Sequence, residues 1–415
     1  MFETEVWLNG VYIGNDTSCF TSQEYDVSNI ISYSGENTLI ARVGSLDTLP
    51  ENERIFSYDC EKESWIPGIW GDVSLILTGN TTIKWVQMIP HIYTSVAEAR
   101  VTLENLESQS TGGVLSVQIL EKNSNINAST TVKVNYTLNA SEIKTVTANI
   151  SITNLTLWSL ENPFLYKLVS KVIVNGTEVD KVNTTFGMRE FKIDGSNFTL
   201  NGKRVYLRGS NIAFHRFLSD PERGDLPWND TWIKQVLCDT PKEHNFNYFR
   251  IHIGHAYNRW YDIADECGIM LQDEWFFWAG TCGTEEQIEG EFTRWLRDNW
   301  NHPSIIIWDF INEPWYFLYE SCDIPINGTI EYNVTQEMKK LDPTRPWEPV
   351  DFMERHPYIH SLNPVLGKKG MLDWIKCEDK PNVNNEDIWF WLDKNGTPTF
   401  LTNFIISRWL GQDET

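Results

Sequence analysis

The sequence predicts a multidomain β plus α/β protein, with two antiparallel β-domains followed by an (α/β)8 barrel. Three observations carry that reading. A chain of 415 residues is too long for one ordinary core. Up to about residue 187 it is written in short alternating apolar runs separated by turns, the period of half-buried strands. After FGMREFKIDG, near residue 188, strands begin to alternate with amphipathic helices, which implies a parallel sheet and, with so many units, a barrel.

In chain order, EVWLNG, VYIG, YDVSNII, NTLIARV and GIWGDVSLILTG read as strands of a first domain over residues 1–79. TIKWVQMIP, EARVTLENL, GVLSVQIL, TVKVNYTL, KTVTANI and YKLVSKVIV follow with the rhythm of a β-sandwich, residues 80–187. The third domain, 188–415, opens with the strand VYLRGSN. Its first helix, in NDTWIKQVLCDTPKEH, has Asp230 or Thr231 as its cap and buries Ile233, Val236 and Leu237. NYFRIH is the next strand, NRWYDIADECG a helix stopped by Gly268, and IMLQDEW a third strand. A helix then carries Ile288, Phe292, Trp295 and Leu296 at i, i+4, i+7 and i+8, ahead of the strand IIIWDFINEPW. RPWEPVDF, PYIHSL and PTFLTNFI read as the fifth, sixth and seventh strands. No eighth is legible before Thr415, so the barrel reads as lacking its last strand and the chain as a stretch of a longer frame.

Composition narrows the function. With 34 basic and 57 acidic residues the formal charge is -23, which repels phosphate backbones, so nucleic acid is not an expected partner. No apolar run approaches the roughly 18 residues that span a bilayer. The 19 tryptophans offer flat apolar faces that suit sugar rings, although β-rich cores also absorb many of them. Seven cysteines form no C-x-x-C pair, and their odd number leaves at least one thiol outside intramolecular bonds. Asn-x-Ser/Thr sequons crowd the β-rich half, at Asn127, Asn135, Asn139, Asn149 and Asn154 among others, and favour a secreted chain. MFETEVWLNG has no signal-peptide pattern.

In such barrels reactive groups stand where strands end. The candidates are Asn211 and His215; Arg250, His252 and His255; Asp273, Glu274 and Trp275; Asn312 and Glu313; and His356, Tyr358 and His360. A mouth rich in carboxylates, imidazoles and indoles, with no Gly-rich phosphate loop, suits a neutral polyol. Arg250 needs a carboxylate partner if buried. Asp273 and Glu274 either bind sugar or pair with Arg250. His252 and His255, three residues apart at a strand end, face differently and do not form a metal pair.

The stretches LWSLENPFLYKL, FGMREFKIDGSNFTLNGKRVYLRGSN, YDIADECGIMLQDEW and NHPSIIIWDFINEP resemble, in order, successive blocks of glycoside hydrolase family 2, which includes β-galactosidases, β-mannosidases and β-glucuronidases. VWLNGVYIGND and GIWGDVSLI are similar to its amino-terminal sugar-binding domain. The resemblance implies a jelly roll, here partial, an immunoglobulin-like sandwich and a TIM barrel. It implies a retaining glycosidase for terminal β-linked sugars, with Glu313 as acid/base and Asn312 on the sugar 2-hydroxyl. Asn211, His215, Arg250, Asp273, Glu274, Trp308 and Tyr358 would line the site. Trp308 or Trp315 beside Glu313 would raise its pKa by desolvation. The nucleophile's position, aligned on PTFLTNFII, falls at Asn403, and an amide is no nucleophile. The nucleophile then stands elsewhere, or the chain binds carbohydrate without turnover, or it is a truncated product. No cofactor is implied, and no block calls for Mg2+.

Overall fold

The computed structural model describes residues 3–44, 54–55, 68–213, 221–278, 280–314, 326–355, 380–386 and 397. Strands β1 (Glu3–Leu8), β2 (Val11–Asp16) and β3 (Leu39–Gly44) form an antiparallel sheet in the order β2-β1-β3. β1 buries Thr4, Val6 and Leu8 and turns Glu3, Glu5 and Trp7 outward, as period two demands. The expected strands YDVSNII and GIWGDVSLILTG do not form among the described residues of those stretches. The first contains a turn, and in the second Val73, Leu75, Ile76 and Leu77 are exposed.

Two sheets face each other next. One holds β4 (Thr81–His91), β5 (Val96–Asn105) and β8 (Ile143–Ser151) in the order β4-β5-β8; the other has β6 (Thr111–Glu121), β7 (Val132–Leu138), β9 (Tyr166–Val174) and β10 (Thr177–Phe186) in the order β10-β9-β6-β7. β5 alternates strictly, so Ala97, Ala99, Val101 and Leu103 meet Leu115, Val117 and Ile119 of β6 and Leu168 of β9 in one core. β10 is the strand the sequence hid, because TEVDKVNTTF is a polar edge with only Phe186 buried.

A hairpin-linked trio, β11 (Phe191–Asp194), β12 (Asn197–Leu200) and β13 (Lys203–Val205), leads into the barrel. Phe191, Phe198 and Leu200 pack against Tyr248, Met270, Ile306 and Ile307 and plug the end where the barrel strands begin. The parallel sheet runs β14 (Gly209–Ile212), β15 (Tyr248–Ile251), β16 (Met270–Glu274), β17 (Ile305–Asp309) and β18 (Trp347–Glu348), all neighbours in sequence order. A further parallel pair joins β19 (Met353–Arg355) to β20 (Asn382–Asn384). The expected sixth and seventh strands, PYIHSL and PTFLTNFI, lie outside the described residues.

Helices α1 (Asp230–Lys234) and α2 (Thr240–Glu243), joined by a π turn over Gln235–Asp239, cover the sheet with α3 (Asn258–Cys267), α4 (Glu285–Asn299) and α5 (Ile330–Leu341). The first cap is Asn229 rather than Asp230 or Thr231: its side chain accepts from Trp232 N at 3.0 Å. α3 ends at Gly268, whose φ of +72° only glycine adopts without strain, with the backbone of Leu160 and Ser159 where a Cβ would project. α4 starts with a capping box, Thr284 with Gln287, and turns Ile288, Phe292, Trp295 and Leu296 wholly inward as the spacing predicts. Cys238 and Cys267 form a disulfide that ties the π turn to the end of α3. No helix among the described residues is long and apolar enough to cross a membrane.

Candidate active site

Which residues reach the barrel interior follows from register. Ile251, Asp273, Trp308 and Trp347 pair side by side across β15 to β18, and this row turns outward to the helices. Asp273 and Trp308 are therefore corrections to the sequence reading. Asp273 is fully buried, accepts from Tyr261 Oη at 2.7 Å and Trp295 Nε1 at 2.8 Å, and has His255 Nδ1 at 3.3 Å. Burial and that carboxylate push the Tyr261 phenol well up, so it remains a donor. Trp308 packs against Trp295 and Trp347 and donates to Asp342 at 2.9 Å, so its indole face is not open to a sugar.

The alternate positions converge on Arg250, which is wholly buried. Its guanidinium pairs with Glu274 and reaches Asp309 Oδ2 at 3.3 Å, Asn312 Oδ1 at 2.9 Å and Glu386 Oε1 at 3.1 Å. Asp309 also accepts from Gln272 Nε2 at 2.6 Å, and Gln272 in turn accepts from Tyr248. Five planar donors on one side chain suit such a many-sided grip. Glu274 is thus Arg250's partner, fully buried beneath the mouth.

Past the strand ends the backbone departs from common conformations. Ile253 has φ +47° and Glu313 φ +46°, left-handed values that cost a side-chain-bearing residue about 1–2 kcal/mol each. Ile253 is pinned there by its N–H, which donates to Glu274 Oε1 at 2.6 Å. Gly254 follows at φ +107°, and a Cβ on it would stand 2.8 Å from the Phe20 ring. Phe20, after β2, lies edge-on to His255, Trp275 and Phe276, so the first sheet's loop buttresses this part of the barrel.

Asn312 and Glu313 follow β17. Asn312 N donates to Phe277 O at 2.9 Å, an isolated bridge links Asn312 to Trp278, and Trp278 Nε1 donates to Glu313 Oε2 at 2.9 Å. The indole at Glu313 is therefore Trp278, rather than Trp308; Trp315 lies outside the described residues.

The carboxylate that sequence reasoning missed is Glu386, two residues beyond β20. Asn211 Nδ2 donates to Asn385 O at 3.0 Å, tying the first barrel strand to the residue before it. Glu386 pairs with Arg250 and has His252 Nε2 at 3.5 Å, while its side chain keeps 16% of its surface exposed, against none for Glu274 and Asp309. Its signal was faint: PNVNNE is polar, and only Pro381 before a three-residue strand marks it. The structure thus gathers Asn211, Arg250, Glu274, Asn312, Glu313 and Glu386; His255 turns away toward Asp273 while His252 faces in. His215, His356, Tyr358, His360 and Asn403 lie outside the described residues.

Among the described residues, Asp262 and Asp265 of α3 and His302, just before β17, form a group with metal-ligand chemistry. Asp265 already uses both oxygens, on His302 Nδ1 at 2.6 Å and Ser304 N at 2.9 Å, which makes the group a structural tie.

Comparison with known proteins finds relatives of this fold. Residues 81–189 match the family described as glycosyl hydrolases family 2, and residues 282–366 match its TIM barrel domain. A β-galactosidase of Halalkalibacterium halodurans is 26% identical over 438 residues, covering 94% of this chain and 41% of its own length. Among solved structures, a glycosyl hydrolase family 2 member from Bacteroides cellulosilyticus superposes with TM-score 0.71 at 18% identity, covering 98% of this chain and 59% of its own. A Bacteroides uniformis β-glucuronidase, bound covalently to a cyclophellitol-6-carboxylate aziridine, gives 0.68 at 20%, with coverage of 86% and 44%. The chain spans under half the length of the β-galactosidase it matches and about three fifths of the first structure.

Proposed function

Since the chain belongs to glycoside hydrolase family 2, we propose that it hydrolyses terminal β-linked glycosides with retention, Glu313 acting as acid/base and Glu386 as nucleophile. The observation that carries this is the grip of a single guanidinium: Arg250 holds Asn312, the neighbour of Glu313, through one nitrogen and Glu386 through another. This supports a mouth shared by two carboxylates that follow different strands, Glu313 after β17 and Glu386 after β20. That is what retaining chemistry needs, with a spacing of about 5–5.5 Å across the bond to be cut.

In the first step a Glu386 oxygen forms a bond to the anomeric carbon while the bond from that carbon to the leaving oxygen breaks, and Glu313 gives its proton to that oxygen. In the second, Glu313 takes a proton from water, the water oxygen bonds to the anomeric carbon, and Glu386 departs as a carboxylate. Asn312, fixed by Arg250 and by the backbone of Phe277, holds the sugar beside the reacting centre. The Trp278 N–H fixes Glu313 and stabilises the anion left once its proton has gone. On this reading the nucleophile stands elsewhere than Asn403, which is the first of the alternatives the sequence leaves open. Residues 1–79 and 80–187 are proposed as accessory β-domains to the barrel of 188–415, the first lending Phe20 to the site's support.

A panel of aryl β-galactosides, β-mannosides and β-glucuronides tests the reading and assigns the sugar. Turnover lost in both Glu313→Gln and Glu386→Gln supports it; full activity in Glu386→Gln contradicts it.

A further inference from the structure

Among the described residues around the mouth, one fixed positive charge meets three carboxylates: Arg250 faces Glu274, Asp309 and Glu386. A second basic group stands beside them. His252, 9% exposed, has Nδ1 3.3 Å from Glu274 Oε1 and Nε2 3.5 Å from Glu386 Oε1. A neutral imidazole has one N–H and, on its other nitrogen, a lone pair. With a carboxylate oxygen at each nitrogen, either neutral tautomer turns that lone pair against an anion; only the imidazolium offers positive character at both ends. These are ion-pair distances, and the Nδ1 contact is off the direction of a good hydrogen bond, so the attraction is one of charge.

We propose that His252 is held as an imidazolium and is a positioning residue, sharing with Arg250 the grip on one oxygen of Glu386 and so fixing the rotation of that carboxylate. The positioning role rests on Glu386 being the nucleophile; the charge state does not. Among the described residues the charged groups facing the ring are Glu274 on β16 and Glu386 after β20, with Arg250, on the strand before it, shared between them. Arg250 and His252 both meet Oε1, so together they resist rotation of the Glu386 carboxylate more than a single contact could. The geometry also couples the two charges. When Glu386 loses its charge, as it does when it forms an ester with the sugar, His252 loses one of its two counter-charges.

Side-chain 15N NMR of the full chain, with the His252 signal assigned by its loss in His252→Gln, reads the charge state without any turnover. The expected result is two protonated ring nitrogens at neutral pH, a titration above the ordinary histidine value of about 6.5, and a downward move of that titration in Glu386→Gln. A neutral tautomer at pH 7, or a titration that Glu386→Gln leaves in place, overturns the inference. The positioning role is read by inactivation with 2-deoxy-2-fluoro β-glycosides and peptide mapping. His252→Gln should label Glu386 about 10- to 100-fold more slowly and shift the alkaline limb of kcat/KM, and His252→Lys, which keeps a positive charge, should recover part of the rate. Labelling of Glu386 at the parent rate in His252→Gln removes the positioning role alone, whereas a label on another residue in the parent protein overturns the nucleophile assignment itself.

Discussion

Replacing Arg250 by methionine keeps much of its volume and removes its charge, leaving Glu274 and Asp309, both fully buried, without their shared cation. Breaking a buried charge pair by removing one partner costs about 3–5 kcal/mol. In a barrel of about 200 residues each kcal/mol lowers Tm by about 2–4 °C, so the barrel transition should fall by roughly 6–20 °C. Differential scanning calorimetry, which separates the barrel transition from those of the β-domains, is the assay. The sign with pH is also fixed. Protonation neutralises buried carboxylates that have lost Arg250, so acid relieves the variant. The deficit should be full near pH 7 and shrink as pH falls toward about 5. Arg250→Lys, which keeps a charge but loses the planar fork, should fall between parent and methionine variant. A barrel transition within about 2 °C of the parent at pH 7 would refute the claim that Arg250 is the electrostatic hub.

Three further outcomes follow from particular contacts. Trp278→Phe removes the 2.9 Å donor to Glu313 and should cost about 1.5–3 kcal/mol in the transition state, a drop of roughly 10- to 150-fold in kcat/KM for substrates with poor leaving groups and much less for activated aryl glycosides; equal losses on both would contradict it. Cys238→Ala opens a loop closed over a separation of 29 residues, worth about 3.6 kcal/mol by loop entropy, so the parent in strong reductant and the variant should show matching losses in barrel stability. Burial works against the charged form of His302, but Asp265 and Asp262 outweigh it and raise the pKa from 6.5. Its stabilising effect is therefore complete below about pH 6.5 and lost as pH rises through the folded value, so His302→Gln should be less stable in mild acid and converge on the parent at alkaline pH in denaturant titrations.

The elements legible in the sequence were those whose local pattern and tertiary role agree. α4 carries its capping box and an inward stripe at helical spacing, α3 its terminal glycine, and β5 an unbroken alternation, so each could be read without its neighbours. β10 and β20 could not, because a polar edge strand and a three-residue strand of asparagine and valine draw their order from pairing partners far along the chain. Arg250, Asn312 and Glu313 could be placed near strand ends from the sequence because recognisable apolar strands lead into them. Asp273 and Trp308 were counted among the candidates for lying near strand ends, although period two turns them to the helix side. Glu386 escaped for want of an apolar run before it, and its place beside Arg250 is visible only in the structure.

Peptide mass mapping after inactivation of the parent protein by a 2-deoxy-2-fluoro β-glycoside of the preferred sugar bears most directly on the two-carboxylate account. It predicts a single glycosyl adduct on the peptide containing Glu386. An adduct on any other residue, or rapid turnover by an enzyme that accumulates none, would contradict it.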